Sequence, residues 1–385
     1  MSMSKIKIAD FAEVITGGTP STSNPEYWEN GDVPWLQSGA CQNDVITGCD
    51  TFITQKGLEN SAAKMMKPDS VLIALTGATT GKVGYLTFEA CANQSVTGIQ
   101  PNERFVSKYL YYYLRGIRKK ILDDSYGGAQ KHISQGYVKN IEVPLGSIEE
   151  QKTITKLLES VDTTIALRQQ ELQLLDDLIK ARFVEMFGDC TESVPAGVIM
   201  KEMRNGVSPS TSGKYSEKVL TLSAITQGRF NSSMWKNGLF DSPPPAEKRV
   251  YASDFYMCRG NGNKNLVGAG AYSEEDREDL IFPDTVIAAR IDITKVCMPY
   301  LFIAWMQPNV RDQIEAGART TNGTYKINQQ IISKVKVPLP SLESQKRFTT
   351  FVSQVDKSKV AVQKALDEAQ LLFDSLMQQC FGSKI

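Results

Sequence analysis

Apolar residues recur at steps of four and three along two stretches of the chain. In the first they fall at Ile154, Leu158, Val161, Ile165, Leu172, Leu175, Ile179 and Met186, with Arg168 and Arg182 interrupting. In the second they fall at Phe348, Val352, Val355, Val362, Leu366, Ala369, Phe373, Leu376 and Cys380, with Lys359 interrupting. Such spacing over more than four heptads predicts a helix with one apolar seam, as in a coiled coil. About 36 residues at ~1.5 Å each make a rod of roughly 54 Å. With a single seam apiece, the two rods are expected to pair; the alternative is that each lies on its own neighbouring globule. Antiparallel pairing would carry the two globular segments to opposite ends.

Each rod follows a mixed segment. In the first half, strand-like runs at 71–75 and 141–143 are bounded by Gly, Pro and Asn, and 109–122 reads as a helix closed by Gly127-Gly128. Ser147 offers an N-cap, with Glu149 and Glu150 favourably placed for the helix dipole; Gly188 and Gly382 offer C-caps.

The two halves are related. Ile133-Ser134-Gln135 returns as Ile327-Asn328-Gln329, Val143-Pro144-Leu145 as Val337-Pro338-Leu339, and Gln151-Lys152 as Gln345-Lys346, always 194 positions on. Val161-Asp162 and Phe187-Gly188 return at the same offset as Val355-Asp356 and Phe381-Gly382. Gly17-Gly18-Thr19-Pro20-Ser21 has a weaker echo in Gly206-Val207-Ser208-Pro209-Ser210, offset 189. A duplicated half-molecule predicts an internal pseudo-two-fold repeat, which suits a two-fold ligand such as duplex DNA.

At 385 residues, 41% hydrophobic and 22% charged, the chain has room for two or three domains. No apolar run has the length of a membrane span, and the start (Met1-Ser2-Met3-Ser4-Lys5) lacks a signal-peptide apolar region, so the expected location is the cytoplasm. Seven scattered cysteines without a Cys-x-x-Cys fit reduced thiols. Zero net charge argues against a uniformly basic nucleic-acid binder, but charge is uneven: 201–340 hold 18 Lys+Arg against 14 Asp+Glu, and 147–188 hold 5 against 8. Lys108, Arg115, Arg118, Lys119 and Lys120 form one stretch free of acids, which reads equally as a solvated helix face.

Catalytic equipment is missing. The one histidine, His132, has Lys326 as its repeat partner, so a general base or metal ligand is not expected there. Gly77-Ala78-Thr79-Thr80-Gly81-Lys82-Val83 is one residue short of a P-loop and has Val83 where Ser or Thr should bind magnesium. Asn24-Pro25-Glu26-Tyr27 approximates an amino-methyltransferase motif without a cofactor loop to accompany it. What remains are polar, Gly-rich loops in matched places. The first half offers Thr79, Thr80 and Lys82, then Asn93 and Gln94, then Gln130, Lys131 and His132. The second offers Arg259, Asn261, Asn263 and Lys264, then Arg290, then Arg319, Asn322, Tyr325 and Lys326. Arg, Asn, Gln and Lys pair with base edges, and glycines admit phosphates close to backbone N–H groups; turn chemistry alone would also favour Asn and Gly.

The arrangement resembles the specificity (S) subunit of type I restriction-modification systems over nearly the whole chain. The resemblance rests on Gly17-Gly18-Thr19-Pro20-Ser21 with Tyr27-Trp28 and Val33-Pro34-Trp35-Leu36, on Val71-Leu72-Ile73-Ala74 with the 77–84 loop, and on Asn93-Gln94. It rests further on Ile141-Glu142-Val143-Pro144-Leu145 with Glu149-Glu150-Gln151-Lys152, repeated as Val335-Lys336-Val337-Pro338-Leu339 with Glu343-Ser344-Gln345-Lys346. Arg259-Gly260-Asn261-Gly262-Asn263 with Leu266-Val267-Gly268 resembles the core of a second recognition domain. The resemblance implies an α+β chain: target-recognition domain 1 at 1–146, conserved helix 1 at 147–188, domain 2 at 189–340 and conserved helix 2 at 341–385. It further implies mixed α/β globules separated by an antiparallel coiled coil that sets the spacing between half-sites of double-stranded DNA. Two methyltransferase (M) subunits would dock there, with motor-nuclease restriction (R) subunits joining them. The chain itself would hold no cofactor; S-adenosylmethionine, ATP and magnesium belong on the partners. A standalone DNA-binding or anti-restriction scaffold would share the fold without the methyltransferase, and an unaided DNA-modifying enzyme would need a cofactor fold that no motif provides.

Overall fold

The computed structural model describes residues 5–128, 130–188, 192–321 and 323–382. They form two compact units, Met1–Leu172 with Ala361–Ile385, and Gln173–Val360. Two 40-residue helices, Ile148–Phe187 and Leu342–Phe381, each contribute one part to each unit.

The first unit is built on a five-stranded sheet ordered Val14–Thr16, Val96–Ile99, Val71–Ala74, Val83–Leu86, Asp44–Ile46. Its central strands have no polar face because both sides are covered. Val71 and Ile73 enter one apolar cluster and Leu72 and Ala74 the other, the period-two alternation of a strand. A smaller sheet joins Phe52–Ile53, Val33–Leu36 and Cys91–Ala92. The run expected at 141–143 is the strand Glu142–Pro144, paired with Lys5–Lys7.

The helix expected over 109–122 is two helices, Ser107–Gly116 and Arg118–Asp123, broken at Ile117 where ψ is 8°. Residues 109–114 are all buried, and each tyrosine tip finds an acceptor as burial demands. Tyr109 donates to the Pro144 carbonyl, Tyr111 to Asn43 O at 2.6 Å, Tyr112 to Asp162 at 3.3 Å and Tyr113 to Glu142 O at 2.6 Å.

The second unit has one sheet ordered Met200–Asn205, Val286–Ile291, Asp254–Cys258, Gly270–Tyr272. A second is ordered Trp235–Phe240, Tyr215–Leu220, Arg277–Ile281, Arg249–Val250. Helices Met298–Trp305 and Pro308–Gly317 cover the first sheet, with Trp305 edge-on to Phe255 at 5.8 Å.

The long helices begin and end for local reasons. Ser147 and Glu150 make a reciprocal capping box: the Glu150 N–H donates to Ser147 Oγ at 3.3 Å and the Ser147 N–H to Glu150 Oε2 at 2.7 Å. Gly382 closes the second helix at φ 92°, as a left-handed cap requires; Gly188 does not adopt that conformation.

The apolar seams pair helix with helix inside each unit. In the first, Leu158, Val161 and Ile165 share a core with Leu366, Phe373 and Leu376. In the second, Leu175 and Ile179 share one with Val352 and Val355. There Asp176 meets Lys359 at 2.6 Å and Phe183 meets Phe348 at 5.5 Å, so numbers rise along one helix as they fall along the other. Val362 is buried and Leu172 half-buried. Each seam also touches its globule, so both packings expected from the sequence are present together. Phe187 packs on Tyr300 at 5.2 Å, and Phe381 on Tyr109 at 5.3 Å.

Candidate nucleic-acid interface

One end of the first unit's sheet gathers the loops singled out in its sequence. Strand Val71–Ala74 runs into Leu75, whose N–H donates to Ser95 O at 2.8 Å and whose carbonyl accepts from the Ile133 N–H at 2.9 Å. Leu75 thus joins the Asn93–Ser95 turn to Ile133, beside which Tyr126 and His132 form an antiparallel bridge. The intervening Gly77–Lys82 loop is tied to the same place by the Gly77 N–H donating to Lys131 O at 3.1 Å. Gly77 and Gly81 take φ of 77° and 72°, which only glycine adopts without strain.

The second unit repeats this edge. Arg259 stands where Leu75 stands: its N–H donates to Thr285 O at 2.8 Å and its carbonyl accepts from the Ile327 N–H at 2.9 Å. Strand Gly260–Asn261 pairs with Thr324–Lys326, which pairs in turn with Arg319–Thr321. Strands Gly260–Asn261, Thr324–Lys326 and Arg319–Thr321, drawn from segments about sixty residues apart in sequence, are therefore one small sheet.

Side chains on these edges divide into spent and available. Gln94, Gln130, Lys131, Asn263, Lys264, Arg319 and Lys326 are exposed, and Thr79, Lys82, Asn93, His132, Arg259, Asn261 and Tyr325 are partly so. Several hold turns: Asn93 accepts from the Ser95 N–H at 3.0 Å, Asn261 from the Asn263 N–H at 2.9 Å and Asn263 from the Asn265 N–H at 3.1 Å. Gln94 accepts from the Thr19 hydroxyl, Lys82 donates to Gln42 at 2.6 Å, and the His132 ring sits edge-on to Tyr126 at 4.9 Å. Asn322 lies outside the described residues.

Two expected contact residues are otherwise engaged. Thr80 is wholly buried, and its hydroxyl lies 2.8 Å from Gly77 O and 2.9 Å from Lys131 O. It closes the loop. Arg290 is not part of the edge at all. It pairs with Asp254, at the end of strand Asp254–Cys258 remote from Arg259, and its Nε donates to that carboxylate at 2.7 Å. The acid-free basic stretch is also partly committed: Lys108 pairs with Glu159 and Arg115 with Asp162, both on the first long helix.

Sequence reasoning matched the wrong segment to Asn93-Gln94. The structural counterpart is the Pro283–Thr285 turn, to whose Asp284 carbonyl Arg259 donates at 3.2 Å. The signal was the glycine echo between Gly17 and Gly206. A Cβ on Gly17 would lie 2.1 Å from Ala92 O, and one on Gly206 2.1 Å from Phe282 O, so each glycine packs on the carbonyls that open its turn. Arg311 was also missed; it donates to Asn265 O and Val267 O, both at 2.9 Å, and holds the base of the Asn261–Asn265 loop. Beside the first turn, Trp28 and Trp35 meet edge-on at 5.1 Å and line a hollow of about 260 Å³ with Thr22, Gln37 and Thr51.

Among the described residues no group of three or more His, Cys, Asp or Glu could hold a metal ion, and no helix is long and apolar enough to cross a membrane.

A family model described as the type I restriction modification DNA specificity domain matches residues 2–176 and 299–369. The specificity subunit of type I restriction enzyme EcoKI from Escherichia coli K12 is 24% identical over 392 residues, covering 93% of this chain and 84% of that one. The EcoR124I/EcoR124II specificity subunit of Escherichia coli is 26% identical over 179 residues; there the chain spans 44% of its relative's length. Among solved structures, the S subunit from M. genitalium superposes with a TM-score of 0.56 at 14% identity, covering 99% of this chain and 96% of that one. A chain solved in work on assembly and conformational transition of the type I R-M system superposes with a TM-score of 0.60 at 16% identity, covering 100% and 98%.

Proposed function

The chain belongs to the family of type I restriction-modification DNA specificity domains, and from that premise we propose that it reads a bipartite double-stranded DNA target, one half-site per unit. Specificity subunits are the non-catalytic members of these systems. The observation that carries the reading is the recurrence of one edge in both units: a turn, a Gly-rich loop and a β-paired segment joined through Leu75 in one and Arg259 in the other. The edges differ in their side chains, so they suit two unlike half-sites. Lys326 and His132, at equivalent places, are assigned to phosphate, and Arg259, Asn261 and Arg319 to base edges.

The same reading gives the long helices a docking role for two methyltransferase subunits, which would bring S-adenosylmethionine, with restriction subunits bringing ATP and magnesium. Leu178 and Leu372 are repeat equivalents, 46% and 51% exposed, and stand among several large apolar side chains that both helices leave at the surface.

Exchanging residues 201–340 for those of a relative with a different target tests the reading. Methylome sequencing of cells expressing the hybrid with its cognate methyltransferase should show one half-site changed and the other retained. A change in both halves would count against two independent readers.

A further inference from the structure

In each unit one buried glutamine ties the globule to the first turn of a long helix, beside the ring and ion-pair contacts already described. Gln151, 1% exposed in the first turn of the helix Ile148–Phe187, accepts from the Val106 N–H at 2.8 Å and donates to Gly146 O at 3.0 Å. Val106 is the N-cap residue of the tyrosine-rich helix Ser107–Gly116. In the other unit Gln345 is fully buried, accepts from the Cys297 N–H at 2.8 Å, and donates to Pro340 O at 2.8 Å and Lys295 O at 3.1 Å. Cys297 is the N-cap residue of Met298–Trp305. A tyrosine braces each joint: Tyr109 donates to Pro144 O, and Tyr300 to Pro338 O at 3.1 Å.

The chemistry chosen is informative. A buried carboxamide must be desolvated, and it recovers that cost only when both its donor and its acceptor are met in fixed directions. An apolar side chain of similar volume would fill the space without fixing direction. The glutamine ties two helix N-termini that lie 45 residues apart in the first unit and 48 in the second. The same two-sided clamp survives in two repeats whose recognition edges have diverged.

We propose that Gln151 and Gln345 are positioning residues that fix the angle at which each recognition globule is carried on its long helix, and so the half-site spacing that the protein accepts. This rests on the bipartite reading above. It assigns the choice of spacing to the joints as well as to the length of the helices.

The test uses the full chain assembled with its methyltransferase, and duplexes carrying the half-sites found by methylome sequencing at the native spacing and one base pair shorter and longer. Gln151→Met and Gln345→Met should keep the same half-sites while discrimination between native and altered spacing falls at least tenfold. Tyr300→Phe removes one hydroxyl only and should lower that discrimination by a smaller factor, which keeps the test alive if a glutamine variant does not fold. Folded variants that lose thermal stability but keep wild-type spacing discrimination would overturn the proposal and leave the bipartite reading standing. An unmodified complex indifferent to spacing would overturn both.

Discussion

Arg290 reaches the wholly buried carboxylate of Asp254 with its Nε at 2.7 Å, and the pair stands where Gln100 and Ser70, 3.2 Å apart, stand in the other repeat. Arg204 completes the contact on the other side of Asp254. At this register the pair bridges two adjacent strands, neutral in one unit and ionic in the other.

Replacing Arg290 with alanine should therefore act on stability. Asp254 keeps Arg204, so the loss is that of one charge-assisted hydrogen bond, about 1–3 kcal/mol. Urea unfolding measures it. Undiminished discrimination between matched and single-mismatch duplexes is the expected companion result; relaxed discrimination at full stability would return Arg290 to the reading surface.

Lys326→Ala should weaken binding to every sequence alike and lower the salt slope by about 0.9, the value of one phosphate contact. Arg259→Ala should instead relax selectivity at one base by roughly 1–3 kcal/mol. Affinities for matched and mismatched duplexes at several salt concentrations separate the two. A changed base preference in the lysine variant would reverse the assignment.

Phe373 is 3% exposed, with Arg115 over its ring at 4.8 Å and Tyr112 edge-on at 6.0 Å. Phe373→Ala should cost about 3–5 kcal/mol, as large-to-small core changes do. Leu371→Ala, at a position 71% exposed, should cost under about 0.5 kcal/mol. Equal effects in thermal unfolding would contradict the seam.

Four residues inserted at Leu172 of the first long helix lengthen it by about 6 Å if it stays continuous, near two base-pair rises. The half-sites should be retained and the preferred spacer lengthened, as methylome sequencing reads directly. An active complex with its spacer unchanged would exclude the helix as a ruler.

Asp279 accepts from Arg277 at 2.9 Å and Lys218 at 3.1 Å, and these cations hold its carboxyl down to about 2. A carboxylate with a depressed folded pKa stabilises the fold above its unfolded pKa, near 3.9, and loses that contribution as pH falls towards 2. Asp279→Asn should flatten the pH dependence of stability between about 4 and 2 and leave it unaltered near neutrality. The effect is small because the group is 44% exposed.

The long helices were legible because a seven-residue period sustained over more than four heptads fits little besides a helix with one buried stripe, and because it occurs twice. Capping was legible at Ser147 and Gly382 from local residue chemistry alone. The two loop edges proposed to read DNA were legible only as loops. What assembles them is pairing between strands of two or three residues, Gly260–Asn261 with Thr324–Lys326, too short to carry a period and sixty residues apart. Arg290 misled because a strand's register decides which arginine faces a buried carboxylate, and register depends on Asp254, 36 residues away. Gln151 was visible as a repeated letter, but the amide's two partners were not.

The first unit takes Ala361–Ile385 into its fold, and Phe373 and Met377 complete its core. Those residues are made only after Gln173–Val360, which form the other unit. At roughly 5–20 residues per second, a ribosome needs on the order of ten to forty seconds to cross that interval. The unit whose synthesis begins first is thus the last to close, and until then Leu158, Val161 and Tyr109 lack the helix that covers them. During that interval the nascent chain is open to chaperones and to proteolysis, and a late stop codon would leave the first unit unsealed.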